Sequence, residues 1–298
     1  IAKHGPGGGP YTNEAAGGEN YNTLTALIES QHEQGVLYAG SDDGLLHITK
    51  NGGENWENIT PDGIKDGIIN SIDVSQHNPA TAYVVIMRYK SMDLNSHIFK
   101  TNDYGQTWTK IINGLNDPNG FARVVRADKK QQGLLYAGTE TGLYVSNDDG
   151  AFWQRLKLNL PVVAINDLII QDNDLVAATS GRGFWILDDL GALQNNSSYS
   201  KAIEIVTPKD TYRIFGGNSK AVGQGQNPRS GVTFDYYLKN KIPSIRSSDS
   251  CYTILAALNG IDFTKGDLTR IPTTNEYFVA MLTVDQIELA KKNINYLK

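Results

Sequence analysis

The sequence predicts an all-β fold assembled from one repeated unit of short strands. Three observations carry that reading: an eight-residue pattern that occurs three times, a strand of the type Leu-Tyr-Ala-Gly that precedes it, and a composition rich in turn-forming residues. The chain of 298 residues holds 30 glycines and 15 tyrosines, and it is 40% hydrophobic, enough to build a buried core. Its Asn-Gly and Asp-Gly steps mark tight turns between short strands.

Taken in order, the first element of each unit is a short strand, at 24–30, 69–75, 121–127 and 165–170. The second is a β-rich strand closed by a glycine turn. It runs Leu37-Tyr38-Ala39-Gly40 toward Gly44 and Leu135-Tyr136-Ala137-Gly138 toward Gly142, with Ala82-Tyr83-Val84 in the matching place between them. Next comes the eight-residue pattern, with Ser or Thr first, a turn residue fourth, Gly fifth and Trp last. Its copies span Thr49 to Trp56, Thr101 to Trp108 and Ser146 to Trp153, and they start 52 and 45 residues apart. A fourth unit repeats the strand at 175–179 and the turn at 181–186 without the pattern, and reads as a variant. Strand, strand, strand and patterned turn at this period make one blade of a β-propeller, so the chain reads as a partial propeller of about four blades.

The patterned turn has a structural reading that needs no catalysis. The side chain at its third position, Asn51, Asp103 or Asp148, is suited to capping backbone N–H groups of the turn. Gly53, Gly105 and Gly150 allow positive φ, and Trp56, Trp108 and Trp153 are suited to packing between sheets. Thr49, Thr101 and Ser146 open the three copies.

Beyond the blades, residues 195–200 read as an exit into a linker, followed by strands at 203–206, 212–215 and 232–238 around a glycine-rich loop at 216–231. The expected division is 1–194 for the propeller blades, 195–241 for the linker and a small β segment, and 242–298 for an unassigned tail. In that tail 251–258 is apolar, and Thr283-Val284-Asp285-Gln286 reads as a capping box opening a helix to about Leu297.

The blade motifs and the strings around them carry a resemblance. The patterned turns are similar to the Asp-box, or BNR, repeats of sialidases, xyloglucanase-type glycosidases and the sortilin VPS10 propeller. Residues 10–21, 136–144 and 184–190 resemble large bacterial proteins of the sortilin-like, BNR-repeat glycosyl hydrolase family, over roughly residues 1–240. The resemblance implies a secreted propeller, extracellular or periplasmic, with more blades than four. It also implies that 203–238 begins a small β-sandwich. Three functions go with it: binding of an extracellular polypeptide or glycan, glycoside hydrolysis with catalytic blades partly outside this chain, and a scaffold or assembly-factor role. The cysteine-rich module that follows the sortilin propeller has no counterpart here.

Composition narrows the partners. A formal charge of −5 and a pI near 5.6 give no basic surplus for phosphates, so nucleic acid is not expected as a partner. No apolar run is long enough to read as a membrane-spanning helix. The chain begins at Ile1 with no charged-then-apolar leader before Tyr11, so a secretion signal is expected to have been removed or to lie outside it. A single cysteine, Cys251, leaves no intramolecular disulfide or cysteine-rich zinc site.

Candidate chemistry is sparse. A sialidase needs three arginines around the substrate carboxylate, and Arg88, Arg123, Arg126 and Arg182 fall in three successive blades near strand ends and turns. With Glu19 they are the candidate ligand-binding residues. More simply, such arginines pair with carboxylates such as Asp128 or Glu140. A glycosidase needs two facing carboxylates. Glu14, Glu19, Asp42, Asp43, Asp73 and Asp167 are all available, and none is singled out. Asp42-Asp43-Gly44 reads as a turn, and Asp73 and Asp167 as equivalent positions of a repeated strand. The five histidines, His4, His32, His47, His77 and His97, show no ligand spacing, and Asp172-Asn173-Asp174 reads as a hairpin turn, not a calcium loop. Gly7-Gly8-Gly9 lacks the Gly-Lys-Ser/Thr of a phosphate loop. No metal or cofactor is expected.

Overall fold

The computed structural model describes residues 23–195, 203–206, 232–238 and 280–282. The chain divides into two compact units, 1–187 and 188–298.

The first unit contains four antiparallel sheets in sequence order. The first holds β1 (Leu24–Glu29), β2 (Leu37–Ser41), β3 (Leu46–Thr49) and β4 (Glu57–Asn58). The second holds β5 (Ile68–Val74), β6 (Ala82–Met87), β7 (Ile98–Thr101) and β8 (Thr109–Lys110), and the third β9 (Ala122–Ala127), β10 (Leu135–Thr139), β11 (Leu143–Ser146) and β12 (Gln154–Arg155). The fourth has three strands, β13 (Ile165–Gln171), β14 (Asp174–Thr179) and β15 (Phe184–Leu187). Each is a simple meander whose strands pair only with chain neighbours, and the four together form a partial all-β propeller.

The first strands carry the radial order. Each contains a register shift at the same place, leaving Thr25, Asn70, Arg123 and Asn166 unpaired. A bulge turns its extra residue out of the ladder. Two of these side chains accordingly reach the next sheet: Thr25 Oγ1 donates to Ile69 O at 2.8 Å, and Asn70 Nδ2 to Arg123 O at 2.6 Å.

The core lies between sheets, not within them. One apolar cluster joins Tyr38, Leu46, Ile48 and Ile59 of the first sheet to Ile69, Ile72, Val84 and Phe99 of the second. The next joins Tyr83, Val85, Ile98 and Ile111 to Val125, Leu135, Tyr144 and Trp153. Alternation makes this possible, because successive side chains of a strand face opposite neighbours. Gly40 and Gly138 are glycine because an added Cβ would lie 2.2 Å and 2.6 Å from atoms of Ile69 and Ile165, each on the following sheet.

The patterned turns close each of the first three sheets by one set of contacts. Thr49, Thr101 and Ser146 hydroxyls donate to Asn51, Asp103 and Asp148 at 2.9, 2.7 and 2.7 Å, and accept from the N–H of Gly53, Gly105 and Gly150 at 3.0, 2.8 and 2.9 Å. The third-position Oδ1 then accepts the N–H of Asn55, Thr107 and Phe152. Hydrogen bonds from Thr107 hold the Asp103 carboxyl down to about 2. The fourth residue also has positive φ, at 59° for Tyr104 and 60° for Asp149, a conformation a side chain adopts at some cost. Both make inter-sheet contacts from it: Tyr104 Oη donates to Glu33 at 2.8 Å, and Asp149 Oδ1 accepts from Tyr83 Oη at 2.7 Å while its carboxylate pairs with Lys100.

The second unit begins with a single helical turn, α1 (Gly191–Gln194), so the division falls just ahead of the expected exit at 195. Its described strands form two pairs: β16 (Ile203–Ile205) with β18 (Tyr236–Leu238), and β17 (Val232–Phe234) with β19 (Ala280–Leu282). The expected single strand 232–238 is therefore two strands broken at Asp235, which bond to different partners. β19 falls in the tail that sequence left without a strand. The expected strand at 212–215, the glycine-rich loop at 216–231, Cys251 and the helix from 283 lie outside the described residues, as do His4, Gly7-Gly8-Gly9, Glu14 and Glu19.

Candidate functional site

Among the described residues, the inner strands and the loops at their ends position the charged groups singled out in the sequence. The connections at 42–45, 88–97, 140–142 and 180–183 lie at the strand ends opposite the patterned turns. The 88–97 connection is the long one and includes a 3-10 turn at Tyr89–Ser91. It folds around Arg88. The guanidinium donates to Asp66 from Nε at 2.9 Å and from Nη2 at 2.7 Å, and to Asp93 Oδ2 from Nη1 at 2.8 Å. His97 Nε2 lies 2.9 Å from the same Asp93 oxygen, and Asn95 donates to the other. Burial pushes the Asp93 carboxyl up, but the hydrogen bonds from Asn95 and the contact with His97 outweigh it and hold it near 2. Burial and the Lys110 charge depress the His97 imidazole despite Asp93.

Arg123 stands at the bulge of β9, where Nη1 pairs with Glu140 Oε1 across the strand turn. Nearby, Thr141 Oγ1 donates to Asp117 at 2.7 Å and Arg155 Nη2 donates to Thr141 O at 2.7 Å. Arg126 lies further along the same strand and bonds three sheets together. It donates to Ser71 Oγ at 2.7 Å, to Val125 O and Leu168 O at 2.9 Å, and to Asp167 Oδ1 at 2.7 Å. Arg182 is exposed in the β14–β15 turn, and its carbonyl accepts the Trp185 indole N–H at 3.1 Å. The four arginines thus do not converge: three close on separate carboxylates and the fourth faces solvent.

The expected equivalence of Asp73 and Asp167 is corrected by the strand register. Asp73 pairs opposite Tyr83, the place that Ile169 occupies opposite Val176, whereas Asp167 stands opposite Ala178, the place of Ser71 opposite Val85. The sequence shows two similar strands; the bulge in each sets the register. Of the carboxylates suggested as arginine partners, Glu140 holds Arg123, while Asp128 accepts the N–H of Lys130 and Gln131 at 2.8 and 2.7 Å and the Tyr136 hydroxyl at 3.0 Å. Asp42 and Asp43 lie in a turn, with Gly44 at φ 83°, and Asp172 lies in the β13–β14 hairpin at φ 55°.

One polar cavity, of about 200 Å³, opens along the inner strands. Gln31, Asp73, Gln76, Arg126 and Lys129 line it, with Ala127, Ile169 and Ile170 as its apolar side. The Asp73 Oδ2 accepts the Ala127 N–H at 2.8 Å, and Lys129 Nζ donates to Ile170 O at 2.6 Å. Burial raises the Asp73 carboxyl to about 6, although the Ala127 N–H and the charges of Arg126 and Lys129 pull the other way. Sequence reasoning had Arg126 and Asp73 but not Gln31, Gln76 or Lys129, which follow the ends of β1, β5 and β9 at matching places. A smaller apolar cleft, of about 50 Å³, lies between the third and fourth sheets beside Leu143, Leu160, Leu175 and Trp185. Among the described residues no group of three or more His, Cys, Asp or Glu side chains is placed to hold a metal ion, and no helix is long and apolar enough to cross a membrane.

No protein-family model matches the sequence, and no curated protein matches it either. Solved structures similar to this one include YCF48 bound to D1 peptide, at 20% identity and TM-score 0.44, covering 56% of this chain and 51% of that one. They also include the GH74 enzyme of Niastella koreensis, at 16% and 0.46, covering 57% of this chain and 28% of that one. The GH74 xyloglucanase of Xanthomonas campestris is similar at 14% and 0.45, covering 63% of this chain and 32% of that one. The likeness therefore spans about half of the YCF48 chain and less than a third of each GH74 chain.

Proposed function

We propose that this chain is a binding propeller of the sortilin-like, Asp-box kind, acting outside the cytoplasm, whose ligand is a polypeptide held at the cavity along the inner strands. The observation that carries the reading is the makeup of that cavity. Two amide side chains and one carboxyl, beside the protein-bonded Arg126 and Lys129, face an apolar ledge, a set suited to peptide N–H and C=O groups together with a side chain. The arginines that a sialidase would turn toward a substrate carboxylate are instead engaged at Asp66, Asp93, Glu140 and Asp167.

A second reading, glycoside hydrolysis, is favoured by one observation: a carboxyl raised to about 6, as Asp73 is, suits a general acid near neutral pH. Its partner carboxylate would be Asp167, which Arg126 already neutralises. Glycan-array and peptide-array binding, run beside a polysaccharide and sialoside hydrolysis assay, separates the two. Peptide binding weakened by Asp73→Asn or Lys129→Ala, with no hydrolysis, supports the binding reading. Hydrolysis abolished by Asp73→Asn would overturn it.

A further inference from the structure

The polar cavity of the inner strands takes a wall from each of the four sheets, so it belongs to the interior of the array and to neither end. Two of its residues come from one repeated string. Ser30-Gln31-His32 follows β1 and Ser75-Gln76-His77 follows β5, and each histidine hooks its sheet to the next. His32 Nε2 donates to Ser75 O at 2.9 Å, and His77 Nε2 to Asp128 O at 3.0 Å. Gln31 and Gln76 are thereby held at matching places on neighbouring sheets, and neither amide bonds to another described residue.

Asp73 brings to the cavity a carboxylate with one oxygen unused. Its Oδ2 accepts the Ala127 N–H at 2.8 Å, and among the described residues nothing donates to Oδ1 or forms an ion pair with the group. The two nearby cations are turned to other acceptors. Arg126 is engaged by Ser71, Leu168 O and Asp167, and Lys129 Nζ by Ile170 O at 2.6 Å. A buried carboxylate short of donors is costly, and burial raises this one to about 6 in spite of both charges. Ile170 and Ile169, the latter 53% exposed, complete the lining as its apolar side.

Building on the binding reading, we propose that the polypeptide ligand enters this cavity with a lysine side chain, whose ammonium pairs with Asp73. An ammonium has three N–H donors, and the cavity offers three acceptors that no described donor uses: Asp73 Oδ1 and the Oε1 atoms of Gln31 and Gln76. The lysine stem lies along Ile169 and Ile170, as such stems do on apolar surface. Arginine fits less well, because its planar fork is matched by both oxygens of a carboxylate and Oδ2 already holds the Ala127 N–H. At about 200 Å³ the cavity takes one side chain, below the roughly 300 Å³ at which small-molecule pockets begin. The chain's formal charge of −5 favours the approach of a basic ligand.

Peptide arrays probed with the full chain, each lysine-bearing peptide printed beside its acetyl-lysine and arginine versions, test this. The bound peptides are expected to share a lysine whose acetylation weakens binding about tenfold or more, with arginine intermediate. Asp73→Asn, which keeps an acceptor for the Ala127 N–H, removes that difference, and Gln76→Glu enlarges it. Binding to the parent chain weakens about tenfold from pH 7 to pH 5, as Asp73, which faces Arg126, Lys129 and Asp167, takes up its proton. His32 and His77 remain in Asp73→Asn, so an equal pH response in that variant assigns it to them and overturns the role of Asp73. A lysine preference retained by Asp73→Asn overturns the pairing as well. Peptides that bind without regard to lysine overturn the lysine pocket and leave the binding reading standing, whereas binding of no peptide overturns both.

Discussion

The indole Nε1 of Trp153 donates to the carbonyl of Ile111 at 2.9 Å, so the last residue of one patterned turn is held by the chain leaving the sheet before it. Trp108 repeats the contact with Ile59 at 2.7 Å, and Trp56 has no such acceptor among the described residues. Substitution by Ala should therefore be graded along the chain. Trp153→Ala, at a site 1% exposed, should cost about 3–5 kcal/mol and Trp108→Ala about 2–3 kcal/mol, whereas Trp56→Ala should cost less than about 1 kcal/mol. Urea unfolding of the three variants at low protein concentration measures the series, and equal losses would refute the assignment.

Gly150 and Gly63 share positive φ, 86° and 81°, but differ in what surrounds them. A Cβ at Gly150 would lie 2.5 Å from Ile111 Cδ1, while one at Gly63 meets nothing within 4 Å. Both alanine variants bear the conformational strain, so the difference between them isolates the packing. Gly150→Ala should be the more destabilised by about 1–3 kcal/mol in a thermal melt.

Asp73 has its carboxyl raised from 3.8 to about 6. The folded chain therefore binds its proton more tightly than the unfolded chain. That contribution is fully present below 3.8 and is lost as pH rises through about 6. Asp73→Asn keeps an acceptor for the Ala127 N–H and removes the titration. It should raise stability at pH 7 by about 1 kcal/mol, allowing for solvent screening, and flatten the pH profile between those values. An unchanged profile would place the raised group elsewhere.

Arg126 reaches Ser71, Leu168 and Asp167 and so spans three sheets. Arg126→Ala should lower stability by about 1–3 kcal/mol and speed amide exchange in β5 and β13, with Arg126→Lys intermediate because an ammonium cannot serve the same fork of acceptors. Arg182→Ala, at an exposed turn, should leave both measurements within about 0.5 kcal/mol of the parent.

Much of this fold was legible because it is written several times. Each blade's strands lie within a residue or two of where the repeated strings place them, and the longer interval before the third patterned turn's predecessor, 52 residues against 45, marks the long 88–97 connection that folds around Arg88. What stayed hidden was register. A bulge at Thr25, Asn70, Arg123 and Asn166 has no composition of its own, since Thr, Asn and Arg all fill it, yet it decides that Asp73 faces a cavity and Asp167 an arginine. Gln31 and Gln76 did leave a signal, since Ser30-Gln31-His32 and Ser75-Gln76-His77 repeat one string at matching places, but with Lys129 in the third unit only the placement of neighbouring sheets brings them around one cavity. Arg88, Arg123 and Arg126 looked alike in sequence because an arginine's partners come from distant strands.

The apolar clusters Tyr38 to Phe99 and Tyr83 to Trp153 are each shared between two sheets. Cooperativity should then run along the array as nearest-neighbour coupling, as in a linear repeat, with the central boundaries opening last. Truncation from either terminus would shorten such a chain step by step, and its melting enthalpy would fall in increments instead of vanishing at the first lost sheet.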